Sequence, residues 1–296
     1  MVKRKMKEMS VCLIHGTTNS RGIKSFTHTE PFEIPQFALR IHYDMSGSKN
    51  DKKIQSILAI PFKRNTCRVC GMAYSLQVRA DVEVHKRYHT QFTSGITWPT
   101  SLNSKPLNSF VVVRREKSSA LGKLKRTITS KRFKVHIQTI DKRNKRQVEK
   151  VEQILEMVNR ELNASYDSKE WKSSEHESSK AFVVLVGGKA VGLCTTDSIN
   201  EANWMMHKTQ TIVPHQIVKN IRIGVSRIWI SADWRQHGLG KELLNCVMAN
   251  SIYGQVLRKN QIAFSQPSYS GGLLAKSFNG VVHKSGEVLI PVYLEK

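Results

Sequence analysis

From Phe133 onward the chain carries two hydrophobic rhythms. Phe133, Val135 and Ile137 recur at every second position, which predicts a half-buried strand. Val148, Val151, Ile154, Leu155, Val158 and Leu162 then recur at three- and four-residue intervals, one buried helix face over about five turns. Two apolar runs, 182–186 and 190–195, flank Gly187-Gly188 and predict a hairpin. The run 225–230 predicts a strand that enters Arg235-x-x-Gly238-x-Gly240 through a polar turn, and Leu243, Leu244, Val247 and Met248 predict an amphipathic helix after it. Residues 261–264 follow as a strand, 271–278 as a short helix and 288–293 as a last strand. Residues 200–220 hold Trp204, Met205 and Met206 without a period, and an irregular insertion is expected there. This order predicts an α/β fold: a mixed (α+β) sheet with helices on its faces, spanning 131–296.

The N-terminal part lacks this grammar. Residues 1–62 mix Lys, Ser, Thr, Asn, Gly and Pro and are expected to form a disordered basic tail. Residues 63–92 hold a metal-type motif, and 93–130 pass Gly95, Pro99 and Pro106 into a Lys/Arg-rich stretch expected to be a basic linker.

Charge sharpens this division. The 296-residue chain has a formal net charge of +24. Residues 1–113 carry 17 Lys/Arg against 7 Asp/Glu, residues 114–150 carry 14 against 3, and residues 151–296 carry 16 against 13. A balanced C-terminal half behind a basic N-terminal half points to a packed domain carried to a polyanion, with DNA or chromatin the natural choice. No run approaches the roughly 18 apolar residues of a membrane helix, and Met-Val-Lys-Arg-Lys-Met-Lys has no apolar segment behind it, so neither a span nor a secretory signal is expected.

Five cysteines, an odd number with one close pair, argue for a reducing compartment and a metal site over a disulfide framework. Cys67-x2-Cys70 followed by His85-x3-His89 supplies four zinc-type ligands, with both imidazoles on one helix face. All four positions are protein, which indicates structural Zn2+ and leaves none for water. Tyr74 and Val82 supply the module's small core. Fourteen residues separate Cys70 from His85, against about twelve in the common DNA-reading finger. A lone finger of that kind is expected to be a structural or partner-docking element first and a DNA contact second.

The segment from Gly224 to Gly240 is the most informative. Strand, glycine loop and helix together present backbone N–H groups and a positive helix end to a phosphate. Neither the Walker A spacing nor Gly-x-Gly-x-x-Gly is present. Arg-x-x-Gly-x-Gly in this setting resembles the pyrophosphate loop of the GNAT acetyltransferases, which bind acetyl-CoA.

Taken together, the two halves resemble the cohesion-establishment acetyltransferases, the Eco/Ctf/Esco family, which join one C2H2 finger to a GNAT domain. Cys-Arg-Val-Cys-Gly-Met-Ala-Tyr and His-Lys-Arg-Tyr-His-Thr-Gln-Phe carry the likeness in the finger. Gly-Val-Ser-Arg-Ile-Trp-Ile, Ile252-Tyr253-Gly254, Ala263-Phe264-Ser265-Gln266-Pro267 and the glycine pair before Leu273-Leu274-Ala275 carry it in the domain. It covers roughly 64–100 and 133–296. The resemblance implies a nuclear enzyme that acetylates neighbouring lysines on the SMC head of cohesin in S phase, and itself. It implies acetyl-CoA contacts at Ile228, Trp229 and Ile230, at Gln236, His237, Gly238, Leu239, Gly240 and Lys241, with Arg235 at the loop entry, and at Ser268, Tyr269 and Ser270. Family members place a serine and an aspartate near the acetyl group; here these positions are Ser226 and Gln266, and an amide cannot act as a general base. Ser226 is therefore expected to position or relay a proton, Gln266 to orient the lysine or a water, and Tyr253 or Tyr269 to protonate the departing thiolate.

Bland roles are expected for the remaining residues: Asp233 as a cap, His237 beside phosphate, Trp229 and Trp234 in the core or cofactor wall, and Cys194 and Cys246 as buried, inert thiols. Gln55, Leu58 and Phe62 outline a sliding-clamp (PCNA) binding motif in which Pro61 replaces the first aromatic. Two alternatives stay open: a catalytically weak GNAT-fold scaffold, because of Gln266, and a basic zinc-finger DNA-binding regulator, because of the charge.

Overall fold

The computed structural model describes residues 64–118, 127–162, 164, 171 and 178–295. The tail 1–62, with its Gln55 motif, lies outside them. Two short strands, β1 (Arg64–Thr66) and β2 (Ala73–Ser75), pair antiparallel and lead into α1 (Arg79–Ser94). The chain continues through β3 (Ile96–Thr97), β4 (Asn108–Ser118), β5 (Thr127–Thr139), α2 (Lys145–Leu162), β6 (Lys180–Val186), β7 (Lys189–Ser198), β8 (Glu201–Met206) and β9 (Thr211–Lys219). It ends with β10 (Ile223–Ile230), α3 (Leu239–Asn250), β11 (Ile262–Ser265), α4 (Tyr269–Asn279), β12 (Val281–Val282) and β13 (Val288–Tyr293).

Nine strands lie in the order β4-β5-β6-β7-β10-β11-β13-β8-β9, with β3 added on β7 and β12 on β13. β10–β11 and β11–β13 are parallel and the other pairings antiparallel, giving the mixed sheet that the residue pattern predicts. Alternation along β6 divides the core. Phe182, Val184 and Val186 pack with Leu243, Leu244 and Val247 of α3 and Phe278 of α4. Ala181, Val183 and Leu185 pack on the opposite face with Val151, Ile154, Leu155 and Val158 of α2. That second layer also takes in Cys70 and Phe92 of the metal motif, so finger and sheet share one apolar core.

Two sequence expectations need correction. The described residues of the expected 93–130 linker, 93–118 and 127–130, are built into the fold: Ile96, Trp98 and Leu102 are 2%, 2% and 5% exposed, and β4 pairs with β5 along its whole length. The period of two was hidden because one face of β4 is open to solvent, leaving Val111 and Val113 exposed and only Val112 buried. Residues 200–220 are not irregular either; β8 and β9 form a hairpin that joins the sheet through β13. β9 is an edge strand with almost every position exposed, so it carries no apolar stripe to detect. Among the described residues no helix is long and apolar enough to cross a membrane.

Candidate active site and metal centre

β10 builds the site by parting from its neighbour. It pairs with β11 only at Ile223, Gly224 and Val225, while its pairing with β7 continues to Ile230. Beyond Val225 one edge of β10 is therefore open, and alternate residues along 228–230 turn backbone groups away from β7, toward an extended ligand with amides of its own. A bulge against β7 between Val225 and Arg227 sets Ser226 out of register at the head of this opening. Its hydroxyl donates to Thr195 Oγ1 at 2.9 Å. The side chain of Trp229 turns into the core, 3% exposed, so its indole forms no part of the open edge.

At the far end of β10 a short 3-10 turn (Ala232–Trp234) leads to the glycine loop. Gly238 precedes α3 with φ +82°, a conformation that a Cβ disfavours, and Gln236 has φ +61°. The first amides of α3, at Leu239 and Gly240, leave the helix end without intrahelical partners, which suits a phosphate. Gly240 sits against Leu274, which a Cβ would approach to 3.2 Å. Lys241 is exposed and half-buried His237 bonds the Arg235 carbonyl through Nδ1 at 2.7 Å, so both stay at the loop rim. Ser268 caps α4 by accepting from Gly271 N at 3.3 Å, and Tyr269 and Ser270 form the exposed first turn.

Arg235 is tied inward. Nε donates to the Ile230 carbonyl at 2.8 Å, NH2 donates to Glu161 Oε1 at 2.6 Å, and the guanidinium lies 5.8 Å from the Phe92 ring centroid. It braces finger, α2 and loop against one another, a structural position that loop spacing alone did not reveal. Asp233 does not cap the turn; its Oδ2 accepts from Ser94 at the end of α1 at 3.1 Å.

A cavity of about 730 Å³ opens beside Ser226. Thr195, Asp197, Glu201, Arg227, Tyr293 and Glu295 are among its wall residues. Three are carboxylates and one is a cation, and that cation, Arg227, is engaged by Glu295 and by Asn159 Oδ1 at 2.9 Å. Asp197 accepts from Ser179 Oγ at 2.9 Å and from Tyr293 Oη at 3.0 Å. Burial, and then the charge of Asp197, push the Tyr293 phenol far above its ordinary range, so it stays a donor. Sequence reading missed Asp197 and Tyr293; an acidic residue ending an otherwise apolar strand was the one signal available.

Other expected residues fall elsewhere. Gln266 is exposed in the turn after β11 with φ +21° and is absent from the described cavity wall. Tyr253 is wholly exposed just beyond the C-terminal end of α3 and is absent from the described cavity wall. Trp234 is buried, with Phe133 edge-on at 5.0 Å. Cys194 and Cys246 are buried, and burial raises both thiols, Cys246 to about 11, which fits the expected inertness.

The four metal-type residues do converge. The ligand atoms of Cys67, Cys70, His85 and His89 all lie within 4.8 Å of one another. Cys67 Sγ is 3.4 Å from His89 Nδ1, close to the roughly 3.5 Å that two ligands of one tetrahedral zinc keep. His85 Nε2 is buried with no hydrogen-bond partner, as a nitrogen reserved for a metal would be. Backbone amides of Cys70 and Val69 lower Cys67 to about 6 and favour its thiolate, while burial raises Cys70. The donor set and geometry fit zinc, and Tyr74 stacks on His85 with centroids 3.9 Å apart.

Known proteins match along the same lines. A family model described as ESCO1/2 acetyl-transferase matches residues 219–288, one described as zinc-finger of acetyl-transferase ESCO matches 55–91, and the Acetyltransferase (GNAT) family matches 148–251. N-acetyltransferase ECO1 of Debaryomyces hansenii is 44% identical over 282 residues, 89% of this chain and 96% of that protein. N-acetyltransferase ECO1 of Saccharomyces cerevisiae is 32% identical over 270 residues, 84% of this chain and 92% of that protein. The solved xEco2 acetyltransferase domain bound to a CoA conjugate is similar at a TM-score of 0.45 and 23% identity, covering 54% of this chain and 92% of that one.

Proposed function

We propose, for a chain that belongs to the ECO1/ESCO family of N-acetyltransferases, that the acceptor is a lysine side chain on the SMC head of cohesin, modified in the nucleus during S phase. The observation that carries the lysine reading is the acidic cavity beside Ser226. A chain of net charge +24 has few places that attract an ammonium group, and this one gathers Asp197, Glu201 and Glu295 around a single, already paired arginine.

Acetyl-CoA supplies a thioester carbonyl to the site. The open edge of β10 along 228–230 pairs with its amides, and residues 236–241 together with the first turn of α4 (Ser268, Tyr269, Ser270) surround its phosphates. Arg235 acts by holding the loop in place. Ser226, oriented through Thr195, positions the reacting groups. Asp197 draws the lysine ammonium into the cavity and takes its proton, with Ser179 and Tyr293 fixing the carboxylate. The neutral amine then adds to the thioester carbonyl, the C–S bond breaks, and the departing thiolate takes up the proton that the acylated nitrogen sheds, leaving as free CoA. A carboxylate from β7 thus supplies what Gln266 cannot. Cys67, Cys70, His85 and His89 hold a structural zinc. Gln55 to Phe62 dock on the sliding clamp, and the basic N-terminal half contacts chromatin DNA.

The test is mass spectrometry of a recombinant cohesin head incubated with acetyl-CoA and the full chain. Acetylation of adjacent head lysines is expected. Transfer to other proteins with none to the head would refute the substrate, and no transfer to any lysine would refute the acceptor class.

A further inference from the structure

β4 and β5 outrun the sheet. β5 pairs with β6 only from Val135 to Thr139, whereas its pairing with β4 continues from Asn108↔Ile137 to Ser118↔Thr127. The two strands thus project as a ribbon whose faces differ. Val112 is buried on one face, with Phe133 edge-on to Trp234 and Arg114 lying over both rings. Val111, Val113, Arg115, Arg132 and Lys134 are exposed on the other. In register, Val113 faces Arg132 and Val111 faces Lys134, so Arg115 lies diagonal to Arg132. Strand rise and cross-strand spacing set Arg132 about 7 Å from each of Arg115 and Lys134, with the outer two about 14 Å apart.

Among the described residues no carboxylate shares this face, and none meets Arg115, Arg132 or Lys134 in an ion pair. Ordinary surfaces intersperse the two signs, because like charges held close repel. The charge excess of the chain lies in residues 1–150, which include this ribbon. A two-stranded ribbon is also narrow enough for a major groove about 12 Å wide. Regularly spaced cations suit a polymer with evenly repeated charge better than one acidic side chain.

We infer that the outward face of the β4–β5 ribbon, through Arg115, Arg132 and Lys134, grips the phosphates of double-helical DNA without reading sequence. This narrows the proposed DNA contact of the basic half to one surface and rests on that reading. Nearby Arg114 and Lys131 are engaged elsewhere and are not needed for the grip.

Fluorescence anisotropy of the full chain with a 20-base-pair duplex over a salt series tests it. The triple change R115E/R132E/K134E is expected to weaken binding at least tenfold at about 0.1 M salt and to reduce the log–log salt slope by about 3, close to 0.9 per lost contact. R115K/R132K/K134R should keep both. Acetyl-CoA titration of each variant reports that the fold is retained, since none of the three residues belongs to the site. If the unaltered chain binds no duplex, the DNA reading itself fails. If it binds and the charge reversal changes neither affinity nor slope, DNA contact survives and the ribbon is wrong. Displacement of the duplex by polyglutamate at equal charge would assign the surface to an acidic protein instead and overturn the inference.

Discussion

Glu161 on α2 holds Arg235 at the mouth of the glycine loop, with Oε1 to NH2 at 2.6 Å, while its other oxygen accepts from the Trp229 indole at 2.5 Å. One carboxylate thus ties the last turn of α2 to both ends of the coenzyme path, the open strand and the loop. Glu161→Ala is expected to strip Arg235 of its anion and leave a largely buried indole N–H unpaired. Arg235 is partly exposed, so the ion pair counts for little and the indole for most of about 1–2 kcal/mol. Calorimetric melting reads this as a drop of several degrees, and Glu161→Gln, which keeps an acceptor for Trp229, should lose less.

Zinc should matter beyond the finger. Phe92 and Ser94 at the end of α1 touch Arg235 and Asp233, the residues leading into the loop. Stripping the metal, or replacing Cys67 with Ser, is expected to lower the melting temperature and to weaken acetyl-CoA binding several-fold as well. Titration calorimetry before and after chelation decides this. An unchanged affinity would confine the finger's role to its own fold.

Gly238 tests the phosphate grip. Any side chain there meets a φ of +82° at a cost of about 1–2 kcal/mol. Gly238→Val is expected to reduce acetyl-CoA affinity roughly tenfold, and further with Gly240→Val, which presses on Leu274. Unaltered binding in the double variant would contradict the loop's role.

Asp197→Asn separates acceptor from donor. The amide can still accept from Tyr293 or Ser179 but brings no negative charge to the cavity. The expected outcome is a lysine-peptide kcat/KM lower by tenfold or more with the acetyl-CoA dissociation constant unchanged. Equal loss of both affinities would indicate a structural role only.

Burial raises the Cys246 thiol from its ordinary 9.0 to about 11 and lifts Cys194 further. Their neutral forms contribute stability that is fully present below about pH 9 and is lost as pH climbs through the folded-state values. At pH 8 neither should react with iodoacetamide in the native chain, and both should react once unfolded. Peptide mapping after alkylation reports which occurs.

Much of this protein is legible in one dimension because the relevant physics is local. Val148 to Leu162 declare α2 by helical spacing, Gly238 and Gly240 mark a loop that tolerates unusual φ, and Cys67, Cys70, His85 and His89 lie at ligand spacing. Exposed strands were less legible. β9 and the outer face of β4 bury little, so their period of two carries no apolar signal. Pairings between distant residues were not legible at all. Tyr293 reaches Asp197 across 96 positions, and Arg235 reaches Glu161 across 74. The amino-acid order by itself determined the helices, the loop and the metal ligands, since each depends on neighbours within a few residues. Only the tertiary structure decided that Arg235 braces instead of reaching outward and that a carboxylate stands beside Ser226, because side-chain direction and charge environment are set by whatever the fold packs alongside.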